Sequence, residues 1–167
     1  MAPTIDILQS NIEQLLGDKV FNFQTPYQML TFHTAAADLV EVVGKLKGME
    51  GTPFHFLTDV TAVHFPDRVG AEFVSVAHLH CLTSNVRIRI KVAVPTEAPN
   101  VPTLSGLFES ANWMERETYD FFGINYTGHP RLERILNLDD MDYFPLRKEY
   151  PLEDPARRDK VDSMFGR

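Results

Sequence analysis

From residue 86 to residue 94 the chain alternates without a break. Val86, Ile88, Ile90, Val92 and Val94 occupy one set of positions, and Arg87, Arg89, Lys91 and Ala93 the other. A period of two sends successive side chains to opposite faces, so this segment is a β-strand with one apolar and one polar face. Residues 72–82 form a second apolar, strand-like run. Only Thr83-Ser84-Asn85 separates it from the first, which makes the two an antiparallel hairpin. Residues 54–63 read as a third strand, and residues 20–23 and 29–33 as two short ones around Thr25-Pro26.

Helices flank these strands. Ile5, Leu8, Ile12, Leu15 and Leu16 recur at three and four, so residues 5–16 are an amphipathic helix ending near Gly17. Leu39, Val42, Val43 and Leu46 do the same within residues 35–47, with Gly48 as the stop. After a proline-containing stretch, residues 95–102, helical signals run over residues 104–122. There Asn112 is placed to cap the second part and Glu115 to complete a capping box; Gly123 ends it. The fold class that follows is α+β: a compact domain with a mixed or antiparallel sheet packed with helices, residues 1–127.

Composition changes after that. Residues 128–167 hold eight of the 16 basic residues and four of the 11 prolines, with few apolar side chains and no sustained period. Such a segment cannot build its own core. It is either a disordered tail or an extended arm that orders on a partner.

The inventory of chemistry is short. With a formal net charge of -7, the chain lacks the clustered cations of a sequence-independent nucleic-acid binder. Cys81, the single cysteine, excludes an internal disulfide and a cluster or four-cysteine zinc site held by this chain alone. The first residues carry no basic and apolar leader pattern, and no apolar run reaches the ~20 residues of a membrane span. Gly123 and Gly128 have the spacing of a phosphate loop but are followed by His129-Pro130, so no nucleotide site is indicated. His78 and His80 share a strand face, and with His64 on a neighbouring strand they could form a metal site. Without a ligand set fixed by spacing, ordinary packed or solvated histidines are the simpler reading. Cys81 and His80, being adjacent on a strand, point apart and make no nucleophile pair.

The densest polar cluster is Glu115-Arg116-Glu117-Thr118-Tyr119-Asp120-Phe121-Phe122. Arg116 and Asp120, one turn apart, are placed to pair. Charge alone predicts a solvated, salt-bridged face. Trp113, Met114, Tyr119, Phe121 and Phe122, however, put apolar groups nearly all round the same helix, which argues for cover by the arm or by another protein.

Residues 111–136 resemble the signature of the 30-kDa subunit family of respiratory complex I, the bacterial NADH:quinone oxidoreductase. The match reads Glu115-Arg116-Glu117, Asp120, Phe121-Phe122 and His129, and continues through Arg131, Arg134 and Leu136. Pro145-Leu146-Arg147-Lys148-Glu149-Tyr150-Pro151 and Asp59-Val60-Thr61-Ala62-Val63 resemble two further stretches of that family. Glu133 and Phe144 depart from the usual residues. The resemblance implies a non-catalytic subunit of the hydrophilic arm, without its own cofactor. FMN, iron–sulfur clusters, NADH and quinone would belong to partner subunits. The arm of residues 128–167 would lie on the quinone-site and iron–sulfur subunits, with Arg131, Arg134, Arg147 and Lys148 as contacts, at the cytoplasmic face of the inner membrane. The equivalent subunit of an energy-converting membrane-bound hydrogenase fits the same signature. A free-standing metal enzyme built on His64, His78 and His80 is the reading from another class.

Overall fold

A computed structural model describes residues 3–150. Its order is α1 (Ile5–Leu16), β1 (Phe21–Gln24), β2 (Leu30–His33), α2 (Leu39–Lys47), β3 (Phe56–His64), β4 (Phe73–Cys81), β5 (Val86–Val94), β6 (Asn100–Pro102), α3 (Ala111–Phe122) and β7 (Asn125–Thr127). Five strands form one mixed sheet in the order β1-β2-β5-β4-β3. The β2–β5 pair is parallel and the other neighbours are antiparallel. β6 and β7 pair in parallel as a separate two-stranded piece. The chain is thus α+β. The 83–85 connection joins β4 and β5 antiparallel, with Cys81 opposite Val86.

Register assigns the two faces. Ile88, Ile90, Val92 and Val94 of β5 lie beside Leu79, Ala77, Ser75 and Phe73 of β4, and Leu30 and Phe32 of β2 extend the same face. All of these but Ser75, which is buried and polar, share one cluster with Leu8, Ile12 and Leu16 of α1 and Val42, Val43 and Leu46 of α2. Each helix buries the side its three-and-four spacing predicts. Fully burying one such side chain contributes roughly 1.5–3 kcal/mol, so this layer is where most of the stability resides. The opposite face carries Arg87, Arg89, Lys91, His78 and His80.

α3 runs along β3, the edge of the sheet. The Thr118 hydroxyl is shared between the carbonyls of Val60 (3.1 Å) and Met114 (2.8 Å), so helix and strand are stitched together at a buried point. The helix thereby covers an edge that would otherwise offer unpaired backbone groups. Tyr126 of β7 is buried, and its hydroxyl lies 3.1 Å from Ser75 Oγ, which fastens the small sheet to the large one.

Two helix boundaries differ from the sequence reading. α2 starts at Leu39 rather than near 35, after a 3₁₀ turn at Ala36–Asp38. Residues 104–110 form turns, and α3 starts at Ala111. Asn112 therefore sits inside the helix and does not cap it; Ser110 holds the cap position without a side-chain hydrogen bond.

Beyond β7, residues 128–150 contain no helix or strand and lie across α3. The expected arm extends to residue 167, and its part beyond residue 150 lies outside the described residues.

Candidate functional site

The charged side chains of α3 face in different directions and each has its own task. Glu115 is fully buried. Its carboxyl accepts from the Leu104 backbone N–H at 2.6 Å and lies 2.5 Å from the Thr103 hydroxyl. This is why no capping box forms: the carboxyl is drawn inward to the 103–105 turn instead of back along its own helix. Burial pushes the Glu115 carboxyl up to about 7, and the Thr103 and Leu104 donors offset only part of that. The Thr103 hydroxyl also lies 2.8 Å from Ser105 Oγ, whose own proton can serve that contact and leave Thr103 to donate to Glu115.

A pH dependence follows. The folded-state value is raised above the usual 4.5, so between about 4.5 and 7 the unfolded chain ionises first and stability falls as pH rises. Integrated over that window, the loss is on the order of 3 kcal/mol. Glu115→Gln removes the titration. It is expected to match the parent near pH 5 and to exceed it by about that amount near pH 8, as read from urea unfolding midpoints. Equal stabilities at both pH values would refute a protonated Glu115.

Asp120, also fully buried, sits in a nest of donors. One oxygen accepts from the backbone N–H groups of Ile135 (3.1 Å), Leu136 (2.8 Å) and Asn137 (2.9 Å). The other accepts from Arg134 Nη1 at 2.7 Å. Burial alone would raise this carboxyl, but the Asn137 and Leu136 amides and the Arg134 guanidinium outweigh it and hold it far below the ordinary range. Arg134 is itself nearly buried, and its second amino group donates to the carbonyls of Met141 (2.7 Å) and Tyr143 (3.0 Å). One carboxylate and one guanidinium thus shape the whole loop 134–143.

Two more arginines complete the arrangement. Arg116 donates to the carbonyls of Glu133 (3.1 Å) and Arg134 (3.2 Å). Arg147 donates to the Phe122 carbonyl at 2.7 Å, and its guanidinium stacks between Phe73 and Phe144. Gly123 makes that stack possible. It ends α3 in the left-handed conformation at φ +75°, and a Cβ there would fall 2.5 Å from Arg147 and 2.6 Å from the Phe144 ring. His129 accepts from the Arg131 N–H at Nδ1 (3.0 Å), so its Nε2 carries the proton and donates to the Asn112 carbonyl (3.1 Å).

The remaining signature residues have lesser roles. Glu117 is exposed and joins Asp59, Thr61, Phe121, Phe122 and Leu146 around a cavity of about 160 Å³. The Leu146 N–H donates to the Phe121 carbonyl at 3.1 Å, next to half-buried Pro145. Arg131 pairs with Glu133 at 2.7 Å in solvent. Lys148 leaves its ammonium exposed, while its backbone N–H donates to His64 Nδ1.

Several expectations are corrected. Arg116 and Asp120 do not pair, because each finds better partners in residues 133–137 than one turn away on an open helix face. Glu115 and Asp120 are enclosed, as the apolar residues around α3 suggest and charge alone does not. Arg134 and Arg147 turn their guanidinium groups inward, onto this chain. His64, His78 and His80 do not converge. His64 lies opposite Phe73, on the core face, whereas His78 and His80 lie on the other face, beside Asp59 and Phe56. Each has its own neighbour: Lys148 N for His64, Arg89 Nε at 2.8 Å for His78 and Asn85 Oδ1 at 3.1 Å for His80. Among the described residues, no three His, Cys, Asp or Glu side chains are grouped to hold a metal. Cys81 is buried beside the Thr83 and Ser84 hydroxyls. Thr103, Thr118 and Gly123 are structural partners that spacing could not reveal, since their contacts are made across the fold.

This pattern coincides with a known family. The model for the 30-kDa subunit of respiratory-chain NADH dehydrogenase matches residues 32–156. The chain belongs to that family. It is similar to the corresponding NADH-quinone oxidoreductase subunit of Xanthobacter autotrophicus, at 38% identity over 90% of this chain and 71% of the relative. The same-named protein of a Nocardioides species is 46% identical over 74% of this chain and 49% of its own length. The chain thus spans about half the length of several curated family members it matches. Among solved structures, a trypsin-resistant fragment of Nqo5 superposes with a TM-score of 0.65 and 30% identity, covering 75% of this chain and 98% of the fragment. A chain of an archaeal membrane-bound sulfane sulfur reductase shares the fold at TM-score 0.72 and 23% identity, covering 88% and 85%. In this chain Arg116, Asp120, Arg134 and Arg147 fix the segment after β7 onto α3.

Proposed function

We propose that this chain is a non-catalytic structural subunit of the hydrophilic arm of an NADH:quinone oxidoreductase. It supports the quinone-site and iron–sulfur subunits while electrons pass from NADH to quinone and protons are translocated. FMN, the clusters, NADH and quinone would be held by those partners. The observation that carries this reading is the use made of α3: Glu115, Arg116 and Asp120 all bond to protein groups of the same chain, and none converges on a cavity with free polar groups. The names of the matched relatives support the assignment to that complex. The position would be peripheral, at the cytoplasmic face of the membrane. No helix among the described residues is long and apolar enough to cross a bilayer.

The test is a tagged copy expressed in its host and recovered in mild detergent. Co-purification of flavin, iron–sulfur and membrane subunits, with inhibitor-sensitive NADH:quinone turnover, is the expected result. Recovery of the chain alone, in active cells, would overturn it. A nickel–iron hydrogenase set, without NADH-oxidising subunits, would select the second reading; the fold shared with another membrane-bound respiratory assembly keeps that reading in view.

Two variants refine the test. Arg116→Glu sets a carboxylate against the carbonyls of Glu133 and Arg134. Recovery in the complex is expected to drop about tenfold, since breaking two charge-assisted bonds costs well over 1.4 kcal/mol. Unchanged recovery would show that the clamp is dispensable for assembly. A chain ending at residue 127 is expected to stay folded and fail to assemble. The trypsin resistance of the Nqo5 fragment supports a domain that holds without its full tail.

A further inference from the structure

The face of the main sheet turned away from the helices is unlike the rest of this acidic chain. Register places Arg87, Arg89 and Lys91 of β5 on it, with His33 beside Lys91, His78 beside Arg89 and His80 beside Arg87. Arg68, from the β3–β4 connection, adds its charge near Lys91 and His33. Among the described residues the strands contribute one carboxylate to this face, Asp59, whose Oδ2 lies 3.5 Å from His78. Val74 and Val76 are buried here, yet they stand apart from the helix-covered core. Phe21 on β1 is 46% exposed, and Phe56 on β3, at the other side, is 47% exposed.

We infer that this open face is a docking surface for an extended acidic segment of a partner polypeptide. Three cations recur on β5 at every second residue, about 7 Å apart. An extended partner with carboxylates at alternate positions repeats at the same interval, and apolar side chains flanking that acidic stretch would meet Phe21 and Phe56. Among the described residues none of the three cations pairs with an acid, and burial first, then Arg89 and Arg68, push the Lys91 ammonium down. A partner carboxylate relieves that repulsion. A long polyanion fits less well. The net charge of -7 repels it beyond the few ångströms of this patch, whereas a short segment needs only the patch. This surface lies on the far side of the sheet from the core and is independent of the assignment to any one complex.

The test uses the full chain, labelled with ¹⁵N, and a capped synthetic peptide with Glu at alternate positions, Ser between them and Phe at both ends. At about 0.15 M salt, shifts are expected in the amides of β2, β4 and β5, and binding should weaken with added salt. Arg87→Gln with Lys91→Gln is expected to weaken binding about tenfold, with the amide spectrum otherwise retained. A Gln-for-Glu peptide should lose binding similarly. The inference is overturned if shifts map elsewhere, if the double variant binds equally well, or if no binding appears at millimolar peptide. Tighter, charge-dependent binding to phosphatidylglycerol vesicles or to a single-stranded oligonucleotide would also overturn it.

Discussion

Asp120→Asn is expected to free residues 131–147 from α3. The carboxylate accepts three backbone N–H groups and an arginine from full burial, so a neutral amide leaves Arg134 charged and without its counter-charge. Breaking a buried pair by changing one partner costs about 3–5 kcal/mol. Released locally, that raises the open population of the segment by a factor of roughly 10² to several 10³. Trypsin cleavage at Arg131, Arg134 and Arg147 under native conditions should accelerate accordingly, because cleavage follows that population when reclosing is fast. Arg134→Gln should cost less in the Asp120→Asn background than alone, since the charge pair is already gone and the bonds to the 141 and 143 carbonyls are what remains to lose. Full additivity would show that the two charges are not coupled, and cleavage at the parent rate that the nest does not hold the segment. The same carboxylate gives an acid limb. Its folded value is depressed, so its contribution is complete above the usual 3.8 and is lost as pH falls below it.

Gly123→Ala is the second large effect. The new Cβ meets Arg147 at 2.5 Å and Phe144 at 2.6 Å, and the backbone there is left-handed. The conformation costs about 1–2 kcal/mol and the crowding about 1–3 kcal/mol more. Gly70→Ala is the control, with φ +80° and nothing within 4 Å. The difference between the two in unfolding free energy isolates the crowding. If both lose the same amount, the Arg147 stack yields freely and does not hold the segment.

What the order of residues alone discloses divides along one line. Features set by neighbours in sequence were legible: the alternation of β5, the short β4–β5 link, the buried stripes of α1 and α2, and the stop at Gly123. Features set by distant residues were not. Glu115 looked like a cap because Asn112 stands three residues before it, yet its partners are Thr103 and Leu104. Arg116 and Asp120 looked like a pair because helical spacing is the only geometry a sequence displays. Their partners come from a segment that has no period of its own. The ring of apolar residues around α3 was the one local sign that this helix is covered, and the covering segment is the one that follows it. Likewise His64 and His78 looked like neighbours until the register put them on opposite faces.

The arginines of the clamp hold main chain. Arg116 reads the carbonyls of residues 133 and 134, Arg134 those of 141 and 143, and Arg147 that of 122. A carbonyl is present whatever residue bears it, so the side chain at position 133 can change without disturbing Arg116. Selection is then free to rewrite the outward side chains of this loop. A lineage could retune what the protein presents to its neighbours, one substitution at a time, without loosening the fastening underneath.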